Sequence, residues 1–420
     1  MTTPLQEIKQ CQVCGNGNLD SVMNLGNLPI PDDLVPIYGS ESVRICDTYP
    51  TEILFCDTCK TAQQRWELPT KKVFHPDYHY RAANTKDVLS GMAQLVDTIE
   101  KRHGSLKNIK VLDIGCNDGC LLDVFKARGA ITTGIEPTNA ADDAAGKGHG
   151  IDKAFLDVIE AQRYVKTYGP PDIITFTNVF AHIPNLTGLL ACLDIIRGPT
   201  TRIVIENHYL GAVLDRKQFD TFYHEHLRTY SYTSFLHIAQ SLNCGIEWVE
   251  FPARYGGNIR VCLTPLLMNK GHAESHEARI GHRAPEANFK FRLGVLDRQV
   301  KEWQKNKQAQ LLLEIDHQSM AWTPIPAAAF PGRAAVLFVL LGLTERDISA
   351  VYEVPISKKI GHYVPGTRIP ILSDDDFPWH TYDGPVLNTA WHIADEIDGR
   401  WRSKGFKGKM IQAIEPSDFN

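Results

Sequence analysis

Two short stretches of this 420-residue chain carry side chains suited to moving protons. Tyr223-His224-Glu225-His226 sets two imidazoles around one carboxylate. An imidazole titrates near neutral pH and serves as a general base, and an adjacent carboxylate can orient it. The same residues admit two other readings, a pair of metal ligands or a plain helix surface. The metal reading is thin because the H-E-x-x-H arrangement is absent. The second stretch is His182-Ile183-Pro184, following a run that reads as a strand and ends at Asn178. Tyr78 and Tyr80, two apart, are either one edge of a strand or the cover of a ligand.

Cys11-Gln12-Val13-Cys14 and Cys56-Asp57-Thr58-Cys59 form two C-x-x-C knuckles. Each presents two thiolates to one tetrahedral ion, so Cys11, Cys14, Cys56 and Cys59 together match a structural zinc site. Four thiolates leave no open coordination position. The ion is therefore expected to hold a small lobe together without touching the chemistry.

The stretch Asp113-Ile114-Gly115-Cys116-Asn117-Asp118-Gly119 sits between an apolar run and a segment of helical spacing, which reads as strand, turn and helix. Gly115 and Gly119 permit backbone angles barred to other residues, and the helix that follows turns free amides toward a ligand. The dinucleotide pattern G-x-G-x-x-G is absent, and Asp113 would repel a pyrophosphate while suiting a cationic amino-acid group. The spacing D-x-G-x-x-x-G resembles the first motif of class I S-adenosylmethionine-dependent methyltransferases. Glu136-Pro137 ends a second strand, where such enzymes hold the ribose hydroxyls. The candidate cofactor residues are Asp113, Gly115, Cys116, Asn117, Asp118, Gly119, Glu136, Pro137 and Asn178.

The elements that must position these groups alternate as a doubly wound α/β sheet requires. Helices are expected at 88–99, 140–148, 159–164, 186–196 and 233–243, and strands near 155–157, 171–177, 201–209, 246–251 and 256–263. In parallel sheets ligands lie over the carboxyl ends of the strands, where Asn178, His182 and the polar end of the fifth strand fall. The Tyr223–His226 cluster lies just beyond that strand and can reach the same rim, which favours proton transfer. A polar segment at 268–286 reads as a linker. Apolar residues from Phe289 to Leu311 recur at helical spacing and lead to a further α/β unit within 325–373.

Composition fixes the class. Hydrophobic content of 43% and charged content of 22% are those of a globular protein. Net charge is −5 and the pI about 6.3, so no overall basic field holds a nucleic acid. No apolar run is long enough to span a membrane, and the N-terminus lacks the pattern of a signal peptide. The expected location is the cytoplasm, with the ten cysteines as thiols or metal ligands.

Taken together, IGCNDG at 114–119, Tyr223-x-Glu225-His226, His182-Ile183-Pro184, PGTRIPI at 365–371 and AWHIADEI at 390–397 resemble the sugar C-methyltransferases that act on nucleotide-linked 4-keto-6-deoxyhexoses. The resemblance covers almost the whole chain. It implies a zinc lobe at 1–70, a Rossmann-like methyltransferase domain at 71–285, and a linker helix with a smaller C-terminal α/β domain at 286–420. S-adenosylmethionine and zinc are the implied cofactors, and the implied substrate is a dTDP- or GDP-linked keto-deoxysugar methylated at carbon 3. In that family the sugar is surrounded by residues that fall here on Tyr223, Glu225, His226, His182, and Tyr78 or Tyr80. His226 is the candidate base, held by Glu225 or a neighbour, with His182 and Tyr223 as alternates or as donors to the enolate oxygen. His224, Asn207, Arg333, Glu353 and Lys359 are candidate substrate contacts. Arg81-Ala82-Ala83 stands where the family has serines, and Phe330-Pro331-Gly332-Arg333 where it has Y-G-A-x-x-K, so Arg333 is the candidate replacement for that lysine's charge. Rival readings are an RNA-modifying methyltransferase, a sugar O- or N-methyltransferase and a non-catalytic scaffold. A monomer or small homo-oligomer is expected.

Overall fold

The computed structural model describes residues 5–74, 80–267, 276–316 and 323–419, so Tyr78 lies outside the described residues. The chain forms two compact units, each discontinuous. Met1–Ser21, Leu54–Asp215 and Glu225–Lys290 make the first, and Val22–Ile53, Arg216–His224 and Phe291–Asn420 the second. Contiguous blocks do not describe this division, because the long strands Asp20–Pro29 and Thr48–Cys56 carry the chain out of one unit and back. Among the described residues no helix is long and apolar enough to cross a membrane.

The first unit is built on seven strands: β1 Lys110–Ile114, β2 Ile131–Ile135, β3 Gly150–Asp152, β4 Ile173–Thr177, β5 Arg202–His208, β6 Cys244–Glu250 and β7 Asn258–Pro265. Their order is β6-β7-β5-β4-β1-β2-β3. All neighbours are parallel except β7, which runs antiparallel to β5 and β6. This is the Rossmann-like class I methyltransferase sheet that the motifs imply.

Around it stand α1 Lys86–His103, α2 Cys120–Ala127, α3 Ala140–Gly146, α4 Val158–Tyr168, α5 Leu186–Ile196 and α6 Tyr232–Ser241. Asp157, expected at the end of a strand, instead caps α4, its carboxylate accepting from the Glu160 amide at 2.8 Å. The strand lies earlier, at β3. Asn185 caps α5 in the same way, and Ser231 with Ser234 forms a capping box on α6.

Period-two alternation gives the sheet two different faces. Leu112, Ile114, Ile174, Phe176, Ile203 and Ile205 pack with α4, α5 and α6. Val111, Ile173, Val204 and Cys262 pack on the opposite face with α1 and α2. Each such side chain, fully buried, contributes roughly 1.5–3 kcal/mol. Toward the carboxyl ends of the strands the second face turns polar: in register there stand Asp113 beside Thr175, Thr177 beside Glu206, Arg260 beside Glu206, and Asn258 beside His208.

The second unit holds an all-parallel sheet in the order Ile371–Ser373, Ile348–Glu353, Ile325–Ala328, Val386–Asn388, Met410–Gln412. Aromatic packing fills one side, with the Phe377 and Trp401 rings 4.6 Å apart. The 334–343 apolar stretch is a helix over Ala334–Leu340, and the long helix Phe289–Asp316 connects the units. Its Trp303 is fully buried, Nε1 donating to the Ala413 carbonyl at 3.1 Å.

Candidate active site and metal centre

The glycine turn after β1 takes its shape from backbone constraints. Gly115 has φ +71°, and a Cβ there would stand 2.6 Å from the Val179 side chain; Gly119 has φ +78° and caps α2. Asn117, also left-handed at φ +48°, donates its amide to Glu136 Oε2 at 3.0 Å. Residues 80–83 lie directly on this turn. Asn117 Nδ2 donates to the Tyr80 carbonyl at 3.2 Å, and the Ala82 and Ala83 amides donate to Asn117 Oδ1 at 3.0 Å and Asp118 Oδ2 at 2.9 Å. Arg81, standing where the family has a serine, donates from Nε to Asp143 at 2.6 Å and from Nη2 to Asn139 at 2.7 Å.

Two acids flank the turn. Asp113 is buried, accepts from Thr175 Oγ1 at 2.7 Å, and is pushed up to about 7 by burial. At the end of β2, Glu136 accepts from Asn117 N, Thr138 N and Thr138 Oγ1, leaving roughly one of its four lone-pair positions for a ligand hydroxyl. Thr177 Oγ1 and Asn258 Oδ1, at the same rim, are buried with no hydrogen-bond partner among the described residues. A rim offering acceptors, helix-terminal amides and unpartnered polar atoms fits a polar, partly cationic cofactor. Asn178 follows β4 at φ +54°, its amide bonded to the Glu206 carbonyl at 2.8 Å and its Oδ1 to Asn258 Nδ2 at 3.2 Å. Cys116 contributes no thiol to this rim, because its sulfur packs against Gly134 in the interior and burial raises its pKa well above the usual thiol range.

Three imidazoles gather beyond the strand ends. The His226 ring lies 5.0 Å from His182 and 5.2 Å from His208 between centroids, and Phe74 meets His182 edge-on at 5.6 Å. His182 Nδ1 stands 2.7 Å from the Glu225 carbonyl, which can only accept, so the proton is on Nδ1. Burial pushes His182 down to about 4, and the ring is neutral at pH 7. A neutral ring with its N–H committed has a lone pair and no proton to give. His182 is therefore not a donor to a developing oxyanion, as the sequence allowed. The Glu225 backbone carbonyl thereby orients the His182 ring.

Several expected substrate contacts are spent on internal structure. His224 is buried in the second unit, Nε2 3.2 Å from Thr51 Oγ1 and its ring edge-on to Tyr49, which leaves a sugar no surface to touch. The Arg333 guanidinium is paired with the fully buried Asp220, reaches Gln218, and lies 5.3 Å over the Trp391 ring. Glu353 accepts the Phe330 amide, and Lys359 donates to the Phe330 carbonyl at 3.0 Å, so both brace that loop. Asn207 is buried on the sheet face opposite Glu206 and His208. Alternation along β5 puts His208, not Asn207, on the face where the His226 ring stands. Tyr223, Tyr80 and Pro137 keep exposed surface.

In the first unit, Cys11, Cys14, Cys56 and Cys59 bring their sulfurs within 4.8 Å of one another, with Cys11 to Cys59 at 3.4 Å and Cys14 to Cys56 at 3.5 Å. Four thiolates about 2.3 Å from one tetrahedral ion stand roughly 3.8 Å apart, so the set fits zinc. The bond to Cys56 pushes Cys11 up to about 12, and the bond to Cys11 pushes Cys59 up. Four sulfurs this close can be ionised together only around a cation. His103, Glu247 and Cys262 also approach one another. There Trp248 Nε1 donates to His103 Nε2 at 3.3 Å and Arg202 pairs with Glu247 at 3.0 Å, so that cluster already has partners.

Three family models match the chain in succession: a zinc binding domain over residues 11–74, a methyltransferase domain over 82–247, and a C-methyltransferase C-terminal domain over 254–414. The chain is 25% identical to the C-methyltransferase NovU of Streptomyces niveus over 94% of this chain and 92% of that protein. It is 27% identical to a ubiquinone biosynthesis O-methyltransferase of Aeromonas salmonicida over 26% of this chain and 48% of that protein. Among solved structures, magnesium protoporphyrin IX methyltransferase of Synechocystis PCC 6803 with bound SAM aligns with 43% of this chain and 82% of its own, at 17% identity and a TM-score of 0.33.

Proposed function

Since the chain belongs to the C-methyltransferases that join a zinc-binding lobe, a methyltransferase domain and a C-methyltransferase C-terminal domain, with S-adenosylmethionine as cofactor, we propose that it methylates carbon 3 of a nucleotide-linked 4-keto-6-deoxy sugar. S-adenosylmethionine supplies an electrophilic methyl group at a sulfonium centre. A saturated C–H is no nucleophile, so the substrate carbon must first lose a proton, and a ketone beside it makes that proton acidic.

The observation that carries the reading is the His182, His226, His208 cluster beside the glycine-turn rim. In this reading His226 takes the carbon 3 proton. His182, neutral with its N–H directed away, packs against that ring and fixes where it stands. A tyrosine hydroxyl, that of Tyr80 beside the glycine turn, donates to the oxygen of the enolate, a fixed donor worth about 2.7–4 kcal/mol. Glu136 and the amides of the turn hold and orient the cofactor. The Gly115 and Val179 packing keeps the turn in one shape. The zinc ion is held by Cys11, Cys14, Cys56 and Cys59 and has no role at the reacting atoms.

The test is turnover of S-adenosylmethionine with a panel of 4-keto nucleotide sugars, followed by NMR of the product. A new methyl on carbon 3 supports the reading. A methyl on oxygen or nitrogen, or turnover with RNA alone, overturns it.

A further inference from the structure

We propose that Arg228 is a positioning residue that joins the four-cysteine centre to the histidine site, so that the Cys11–Cys14 knuckle sets where His182 and His226 stand. This rests on reading those histidines as the proton-transfer site.

Arg228 is buried, and each of its nitrogens is directed at a partner. Nε donates to Tyr230 Oη at 2.8 Å, Nη1 to the Pro184 carbonyl at 3.0 Å and to Gln12 Oε1, and Nη2 to the Ile183 carbonyl. Two of these four acceptors are the carbonyls that follow His182. A third belongs to Gln12, which lies between the ligands Cys11 and Cys14. Gln12 is itself fixed at both ends: its amide donates to Gln63 Oε1 at 3.0 Å, and its Nε2 to Glu67 at 3.0 Å and to the Pro184 carbonyl at 3.5 Å.

The other knuckle is tied in as well. Strand Thr61–Gln64 begins two residues after Cys59 and pairs antiparallel with Arg228–Thr229, Gln63 opposite Arg228. The Gln64 amide donates to the Leu227 carbonyl at 2.9 Å, immediately after His226. The Cys59 carbonyl accepts from Ser231 Oγ at 3.2 Å and Ser234 Oγ at 3.1 Å. The Glu225 carbonyl then closes the loop on His182 Nδ1. Both cysteine knuckles thus grip the segment that carries His226, and through Arg228 the turn that carries His182. A planar guanidinium bonded to four acceptors is stiff, and a lysine in its place satisfies fewer of them. Displacement of a catalytic group by about 1 Å costs on the order of 100-fold in rate.

The experiment uses full-length Gln12→Ala and Arg228→Lys proteins. Four quantities are measured: zinc content by mass spectrometry, S-adenosylhomocysteine affinity by calorimetry, kcat and KM with a keto nucleotide sugar, and the imidazole 15N spectrum. Expected are zinc content and cofactor affinity within about two-fold of the parent, kcat lower by about 10- to 100-fold, and His182 signals that leave the Nδ1–H pattern. Unchanged kcat and an unchanged His182 spectrum in a variant that keeps its zinc overturn the proposal. Should Gln12→Ala lose the metal, Arg228→Lys, which alters no residue of the knuckle, decides by the same criteria. If the parent protein methylates no keto sugar, the functional reading fails, and the imidazole spectra still decide the role of Arg228.

Discussion

The imidazoles of His182 and His226 lie 5.0 Å apart between centroids at an interplanar angle of 55°, though 43 residues separate them along the chain. One ring is pinned by the Glu225 carbonyl and kept neutral by burial, so the pair is asymmetric. The proposed reading gives the carbon 3 proton to the other ring, His226. His226→Asn is expected to lower turnover by about 10² to 10⁴-fold while S-adenosylhomocysteine affinity stays within two-fold. Isothermal calorimetry beside a turnover assay checks it, and full activity in the variant would reject the base assignment.

His224 makes acid stability the second expectation. Burial lowers its folded pKa from 6.5 to about 4, so the unfolded chain binds the proton first as pH falls. Its contribution is intact above about 6.5 and is lost as pH drops toward 4. His224→Phe should therefore flatten the decline of melting temperature between pH 6.5 and 4. A variant curve parallel to the parent's across that window would contradict this.

Asp113 acts in the opposite sense. Its folded pKa is raised from 3.8 to about 7, so the stability tied to its bound proton is full below 3.8 and is lost as pH rises toward 7. The loss is at most about 4 kcal/mol. Asp113→Asn keeps an acceptor for Thr175 and carries no charge to bury. Relative to the parent it should gain melting temperature steadily from pH 4 to 7. No relative gain would show that the buried acid does not titrate there.

Gly115→Ala meets two obstacles, φ of +71° and a Cβ 2.6 Å from Val179. The left-handed angle alone costs about 1–2 kcal/mol. A Gly115→Ala, Val179→Ala double variant should recover only the steric part of the stability and of the cofactor affinity. Full recovery would mean that the backbone angle is not required.

Cys59→Ser removes a buried sulfur ligand that lies within 4.8 Å of the other three. Structural zinc sites contribute folding energy directly. The variant should lose zinc and melt well below the parent, and a strong chelator should do the same to the parent. Retained zinc with an unchanged melting temperature would remove the metal centre from the account.

Local chemistry made much of this protein legible from its residues alone. The strand-turn-helix around Gly115 and Gly119 follows from short-range rules, because glycine angles and apolar periodicity need no knowledge of distant partners. The paired C-x-x-C knuckles were readable for the same reason, since metal geometry dictates their spacing. Asp157 misled: the bonds that make a residue a helix cap are formed after the chain turns, and a short apolar pair before it looks like a strand.

The roles of long polar side chains were settled only in three dimensions. Arg333, Glu353 and Lys359 read as candidate substrate contacts, yet each has an internal partner far along the chain or across a loop. His224 and His226 are two residues apart, and one is core while the other joins the imidazole cluster. Sequence spacing fixes what a residue can do, through its own chemistry and the local period. Which of those capacities is used depends on desolvation and on partners brought together by folding, and those are properties of the assembled tertiary structure.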